Sequence, residues 1–287
     1  MQVERVRNLS ATDFRKSYFL TERPVIITDA IDHWPARELW NPEYLKQRFG
    51  HVRVQAERLV SVAPGNGQIA KSADGSSTMT RLPGNLRDFE QREMPLSEYL
   101  DRVAQPGAEN RWYLALQPIL ERAPEMRSDI RTIPYFSEVL QRLSLQTPLL
   151  WMGPEGSVAN LHFDKLPNIV VQIHGRKKWT VFPSWQMKNV YLPSDLAIDQ
   201  FSPVNVEEPD LERFPLYRDA TPIEFVLGPG EMLFLPTQWP HHVRSLDFSI
   251  SMNSWWIDQR DVIRLPGMWF KHLMRRAYGF RERHYGG

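Results

Sequence analysis

Cysteine is absent from all 287 residues. Its absence excludes disulfide frameworks, thiolate zinc sites and cysteine nucleophiles together, without fixing a compartment. An excess of one charge sign is missing as well. With 35 Lys and Arg against 34 Asp and Glu, the net charge of +1 gives no global attraction to nucleic acid or anionic lipid. No charge-free apolar run approaches ~20 residues, so no membrane span is expected. The first twenty residues, MQVERVRNLSATDFRKSYFL, are charged throughout and do not read as a signal peptide, which makes the cytoplasm the expected location. No internal repeat is visible.

Apolar and aromatic residues, by contrast, are plentiful. At 42% apolar and 11% aromatic, with ten Trp, the chain can build a sizeable core. A single domain in three parts is expected: an N-terminal α/β part over 1–147, a β-rich core over 148–257 and a helical tail over 258–287. In the first part, Ser10 or Thr12 is placed to cap a short helix running through Phe14 to Leu20. RPVIITDA (23–30) reads as a buried strand, with Pro24 at its entry. NPEYLKQRFG reads as a helix with Pro42 in its first turn and Gly50 past its end. HVRVQAERLV alternates like a strand, and MPLSEYLDRVA has helical spacing. Between Ser61 and Leu82 the chain is rich in Gly, Ser, Ala and Asp, a long loop of the kind that serves as a lid or binding loop or is disordered.

From Pro148 the pattern changes to short strands divided by Gly and Pro: PLLWMG, SVANLHFD, NIVVQIHG, KKWTVFP, PIEFVLG, EMLFLP, HHVRSL and FSISMNSWW. Eight such strands with turn signals between them predict a mainly β sandwich or barrel, interrupted by a loop over Ser184 to Thr221. The tail carries Leu265, Met268, Trp269, His272, Leu273 and Met274 at helical spacing, and from Arg260 onward seven Lys and Arg against two Asp and Glu.

The chemistry concentrates in NLHFDKLPNIVVQIHGRKKWTVFP (160–183). On a strand of period two, His162 and Asp164 project from the same face. They form two corners of a two-histidine, one-carboxylate facial triad, which leaves open positions on Fe(II). H-x-D by itself is common on protein surfaces, so the third ligand decides the matter. His33, His51, His272 and His284 lie outside the β-rich region, and His174 falls at a hairpin turn. The candidates left are His241 and His242 in WPHHVRSL, 79 and 80 residues after His162. Adjacent strand residues face opposite ways, so one of the two points inward, and periodicity does not say which.

Taken together, WMGPEGSVANLHFDKLPNIVVQIHGRKKWTVFP, NVEEPDLERFP and LGPGEMLFLPTQWPHHVRSLDFSISMNSWW resemble the JmjC/cupin-like Fe(II)- and 2-oxoglutarate-dependent oxygenases. The nearest likeness is to the subgroup containing the asparaginyl hydroxylase of hypoxia-inducible factor. RPVIITDAIDHWPARELWNPEYLKQRFG resembles that group's N-terminal region, and the likeness is weakest over 61–105. The resemblance implies a double-stranded β-helix (jelly-roll, cupin) core with flanking helices. Its iron ligands fall on His162, Asp164 and His241. Lys177 matches the lysine that binds the distal carboxylate of the cosubstrate 2-oxoglutarate, with Lys178 as the alternative. Tyr113 matches a tyrosine that donates to the same carboxylate, and Asn168 and Asn253 match polar residues lining the cosubstrate pocket. Two positions depart from the pattern: Ala159 stands where relatives often place Thr or Ser, and Pro240 replaces an aromatic residue before His241.

The implied activity is hydroxylation coupled to decarboxylation of 2-oxoglutarate, on a protein or peptide side chain. The alternatives are a modified nucleoside in tRNA, which the basic tail would suit, and a cupin-like binding module without turnover. Such C-terminal helices commonly build homodimers in the family.

Overall fold

In the computed structural model, residues 2–59, 78–79, 89–107, 111–133, 135, 148–192 and 201–255 are described. The strands, in chain order, are β1 (Glu4–Val6), β2 (Val25–Ile27), β3 (Arg53–Leu59), β4 (Thr78–Met79), β5 (Phe89–Pro95), β6 (Leu114–Gln117), β7 (Leu149–Gly153), β8 (Val158–His162), β9 (Asn168–His174), β10 (Lys177–Val181), β11 (Ile223–Leu227), β12 (Met232–Leu235), β13 (His241–Ser245) and β14 (Ser249–Trp255). The eight from β7 to β14 are the eight expected from the turn signals.

They pair as a double-stranded β-helix. One sheet runs β12-β9-β14-β7 and the other β11-β10-β13-β8, so successive strands alternate between two facing layers except for β10 and β11, which pair with each other in the second sheet. The N-terminal part extends the first sheet at both edges, through β1 and β2 beside β12 and through β6 beside β7. Of the loop expected over 61–82, only Thr78 and Met79 are described, pairing in parallel with β8; the rest lies outside the described residues. The tail over 258–287 lies outside them too.

Three apolar clusters explain the burial pattern. The outer face of the larger sheet, with Ile169, Val171, Ile173, Phe234, Ile250 and Met252, packs against Phe14, Phe19, Trp34, Trp40 and Tyr99 of the N-terminal part. β9 is therefore covered on both faces, which is why it reads as an almost unbroken apolar run rather than an alternating one. A second cluster, including Val170, Trp179, Leu233 and Val243, fills the space between the two sheets. A third, with Leu161, Phe163, Phe182, Val190 and Phe214, seats the segments on either side of 193–200.

Local signals act where the sequence places them. Ser10 Oγ accepts from Asp13 N–H to cap α1 (Ala11–Phe14), which continues as a wider turn over Arg15–Phe19. A single turn, α2 (Ala36–Leu39), follows β2. Asn41 caps α3 (Pro42–Phe49), and Pro42 occupies the first turn, where a missing N–H costs nothing. α4 (Leu96–Val103) buries Leu96, Tyr99 and Leu100, and a last short turn, α5 (Ile119–Arg122), follows β6.

The β9–β10 connection turns on Gly175, whose φ of +65° suits a residue without Cβ, and a Cβ there would lie 2.1 Å from the Phe248 carbonyl oxygen. Gly175→Ala is expected to lower stability by roughly 1–3 kcal/mol, seen as a lower urea midpoint at unchanged slope. An unchanged midpoint would show that this turn does not constrain the hairpin carrying Lys177.

Candidate metal and cosubstrate site

Strand β8 ends at His162, so Asp164 sits in the turn beyond it rather than on the same strand, as strict alternation predicts. The Asp164 carbonyl accepts the Gln238 N–H at 3.0 Å, which ties this turn to the one entering β13. β13 lies antiparallel to β8 with His241 opposite His162, and their rings are 4.2 Å apart.

The register shifts between this pair and the next, Val243 opposite Ala159. Three residues of β8 thus span two of β13, a bulge that turns both His162 and Ala159 toward the interior despite their odd spacing. His242 pairs with Thr180 and takes the opposite face, where burial lowers its pKa to about 4. The ambiguity that periodicity leaves between the two histidines is resolved by this register in favour of His241.

His162, Asp164 and His241 offer ligand atoms that all lie within 4.8 Å of one another, and His241 Nε2 is 3.8 Å from Asp164 Oδ2. Each imidazole is oriented by its own backbone. His162 Nδ1 is 2.6 Å from the Asn160 carbonyl oxygen, and His241 Nδ1 is 2.8 Å from that of Trp239. A carbonyl only accepts, so Nδ1 carries a proton on both rings and Nε2 is the atom each ring has left to offer a metal. Burial, reinforced by the neighbouring His162, lowers His241 to about 4 and keeps it neutral at physiological pH. Two imidazoles and a carboxylate suit a borderline divalent ion, and the 3.8 Å separation can be bridged by one with bonds of ~2.0–2.2 Å. The donor set fits Fe(II).

The carboxylate is held by a relay of side chains. Asn168 Nδ2 donates to Asp164 Oδ2 at 2.8 Å, Asn253 Nδ2 donates to Asn168 Oδ1 at 3.1 Å, and Trp151 Nε1 donates to Asn253 Oδ1 at 2.6 Å. An indole can only donate, so Trp151 dictates which way each amide turns, and Asn168 is left with its N–H facing Asp164. The two asparagines expected to line a cosubstrate pocket thus satisfy each other and orient Asp164.

Lys177 is 4% exposed on the inner face of β10, opposite Ser245 of β13, and four residues along the strand from the position opposite His241. Its strand adjoins β13 and is second from β8. Nζ donates to Ser251 Oγ at 2.7 Å, and no carboxylate partners it among the described residues. Burial lowers its pKa to about 7. A buried cation without a counterion fits a dicarboxylate whose other end reaches the triad. Lys178 faces out and pairs with Glu224 at 2.9 Å.

Tyr113, 6% exposed, packs against Gly153, where a Cβ would come within 2.3 Å of its ring, and lies 6.2 Å from the Trp151 ring. Burial raises its pKa, so the hydroxyl remains a donor.

Three participants escaped sequence reasoning. Trp151 sits in a strand stretch with no signal of its own, and Phe201, stacked on His162 at 5.3 Å, comes from the long connection after β10. Ser251 had a usable signal. On β14, Ser249, Ser251 and Asn253 alternate with Ile250 and Met252, a polar stripe facing the interior opposite an apolar one.

A jelly-roll with a two-histidine, one-aspartate cluster between its sheets and a buried lysine beside it is a cupin-type metal site. Residues 11–262 match the family model described as a cupin-like domain, and the chain belongs to that family. It is 31% identical over 248 residues to lysine-specific demethylase 8 of Xenopus tropicalis, covering 86% of this chain and 51% of that protein. It is 31% identical over 263 residues to lysine-specific demethylase JMJ30 of Arabidopsis thaliana, covering 91% and 56%. With the human bifunctional peptidase and (3S)-lysyl hydroxylase JMJD7 it shares 26% over 274 residues, covering 87% and 82%. The chain spans about half the length of the first two.

Removing the amide that holds Asp164, in Asn168→Ala, should weaken divalent-metal binding by about 10–100-fold. Trp151→Phe should fall at the low end of that range, because the amides lose only their imposed direction. Cobalt(II) titration of the metal-free proteins measures both, and wild-type affinity in Asn168→Ala would show that Asp164 needs no such support.

Proposed function

We propose that this chain is an Fe(II)- and 2-oxoglutarate-dependent oxygenase that hydroxylates a protein side chain. The observation that carries the reading is the pairing of the His162, Asp164 and His241 cluster with an unneutralised, buried Lys177 on the strand next to the one bearing His241. A metal cluster alone would fit many cupins; the buried cation beside it asks for an acid that spans the two. Relatives named as lysine-specific demethylases and a lysyl hydroxylase support a protein substrate. The basic stretch that would suit tRNA or a homodimer lies outside the described residues and lends neither reading support.

In this reading His162, Asp164 and His241 would hold Fe(II), a ligand set that suits a metal also binding a cosubstrate. Bound there, Fe(II) and 2-oxoglutarate supply the oxidising chemistry: one oxygen atom of O2 enters a substrate C–H bond, and the other converts 2-oxoglutarate to succinate and carbon dioxide. Lys177 and the Tyr113 hydroxyl bind the distal carboxylate and fix the direction from which the acid reaches the triad. The Trp151, Asn253 and Asn168 relay keeps Asp164 pointed at the metal, and Phe201 holds the His162 ring in plane. The apolar lining between the sheets keeps water from the reacting centre.

Turnover of 2-oxoglutarate to succinate with Fe(II) and ascorbate is expected for the wild type and should vanish in the double variant His162→Ala, Asp164→Ala. Wild-type protein that binds metal and yet neither turns over nor binds 2-oxoglutarate would favour a binding module instead.

The titration of Lys177 gives a second check. With a folded-state pKa of about 7 against the ordinary 10.5, the unfolded chain holds more protons between those values, so the ligand-free protein gains stability as pH rises across that window. A bound carboxylate restores the charge. At pH 8, binding 2-oxoglutarate should take up close to one proton, read by calorimetry in buffers of different ionisation enthalpy. No uptake would remove Lys177 as the anchor.

A further inference from the structure

One buried donor lies between the cation and the metal cluster and has no partner. Trp179 is on β10 two residues after Lys177, hence on the same inner face, and two before Val181, which stands opposite His241. It is 4% exposed, and its Nε1 finds no acceptor among the described residues. Its ring stacks on that of His241, with centroids 5.6 Å apart and planes at 27°, and on its other side lies parallel to Phe225 at 6.4 Å. Polar groups shut away from water are almost always satisfied. Trp34 and Trp112 also bury an indole N–H without a partner among the described residues, but in the outer core, whereas Trp179 faces the site. Here the position explains it: a molecule reaching from the triad to Lys177 must pass along this ring.

The row across the sheet strengthens the case. Phe225, Trp179, Val243 and Ala159 are successive cross-strand neighbours, and Trp179 and Val243 share the apolar cluster against which Ala159 packs. Of the four, Trp179 alone carries a hydrogen-bonding group. The methyl of Ala159, at the far end of the row, leaves the interior width to the large indole and offers no donor itself.

Resting on the oxygenase reading above, we infer that the Trp179 indole N–H binds the distal carboxylate of 2-oxoglutarate, sharing it with Lys177. Lys177 supplies the charge, and the indole supplies a directed donor that fixes the carboxylate's orientation. Because the same ring stacks on His241, cosubstrate occupancy is transmitted to a metal ligand through one rigid side chain.

Zinc(II)-loaded protein, which cannot turn over, isolates binding from activity. Calorimetric titration with 2-oxoglutarate, at zinc concentrations that saturate both proteins, should show Trp179→Phe binding about 10–100-fold more weakly, the range for a hydrogen bond to a charged group. Adding Ala159→Thr to that variant returns a hydroxyl to the same row and should recover most of the lost affinity; no recovery in a folded double variant would overturn a hydrogen-bonding role. If Trp179→Phe fails to fold, the wild type still decides. The indole 1H–15N resonance of Trp179, assigned through its own backbone, should move downfield when 2-oxoglutarate is added, and an unmoved resonance would overturn the assignment. If the wild type does not bind 2-oxoglutarate at all, the oxygenase reading itself falls. If it binds and Trp179→Phe matches it, this assignment alone falls.

Discussion

Everything at the site depends on the pairing of two strands whose histidines are 79 residues apart. Until β8 and β13 lie side by side, His162 and His241 are unrelated positions. Once they pair, the two rings are 4.2 Å apart and the turns carrying Asp164 and Gln238 are tied together by a backbone hydrogen bond. The bulge in that pairing matters as much as the pairing. An unbroken ladder would put Ala159 and His162, three residues apart, on opposite faces; the extra residue in β8 brings both inside. The metal cluster is thus a product of register, and register here is set by the long-range closure of the jelly-roll.

The space between the sheets carries a second constraint. It holds a lysine, two asparagines, serines and an unpartnered indole amid Val, Leu and Trp, a composition that weakens a core rather than strengthening it. The asparagines offset their own burial by bonding in series to Asp164 and Trp151, so they are structurally satisfied while they orient a ligand. Lys177 and Trp179 are not offset in that way: among the described residues the lysine has a hydroxyl and no counterion, and the indole has no acceptor. Trp34 and Trp112 also bury an indole N–H without a partner among those residues, but in the outer core; Lys177 and Trp179 differ in lying on the inner face of one strand, leading toward the metal cluster.

The N-terminal part covers the larger sheet and brings one of its own side chains, Tyr113, into the jelly-roll. Its aromatic residues cover the outer face of the larger sheet, and β6 extends that sheet beside β7 so that Tyr113 rests on Gly153 and near Trp151. Tyr113 and the tryptophan that directs the Asp164 relay are therefore neighbours, although one belongs to the N-terminal part and the other to the jelly-roll.

Much of this was legible without coordinates, because it rests on local physics. Alternation and turn residues mark all eight core strands; Asn41 with Pro42 marks a helix start; the H-x-D spacing marks a candidate metal site; and opposite faces of a strand separate Lys177 from Lys178. What stayed hidden depends on which strands meet. Alternation could not choose between His241 and His242, because it sets relative faces and not which face is inside. Nor could it show that β8 bulges, that Trp151 heads a relay to Asp164, that Phe201 stacks on His162 or that Ser251 meets Lys177, since each joins residues from distant segments. The sequence by itself determined the elements, their apolar and polar faces and the kinds of ligand on offer, all properties of neighbouring residues. Only the tertiary structure decided which ligands converge and which buried donors remain without partners, because convergence depends on the register of strands far apart in the chain.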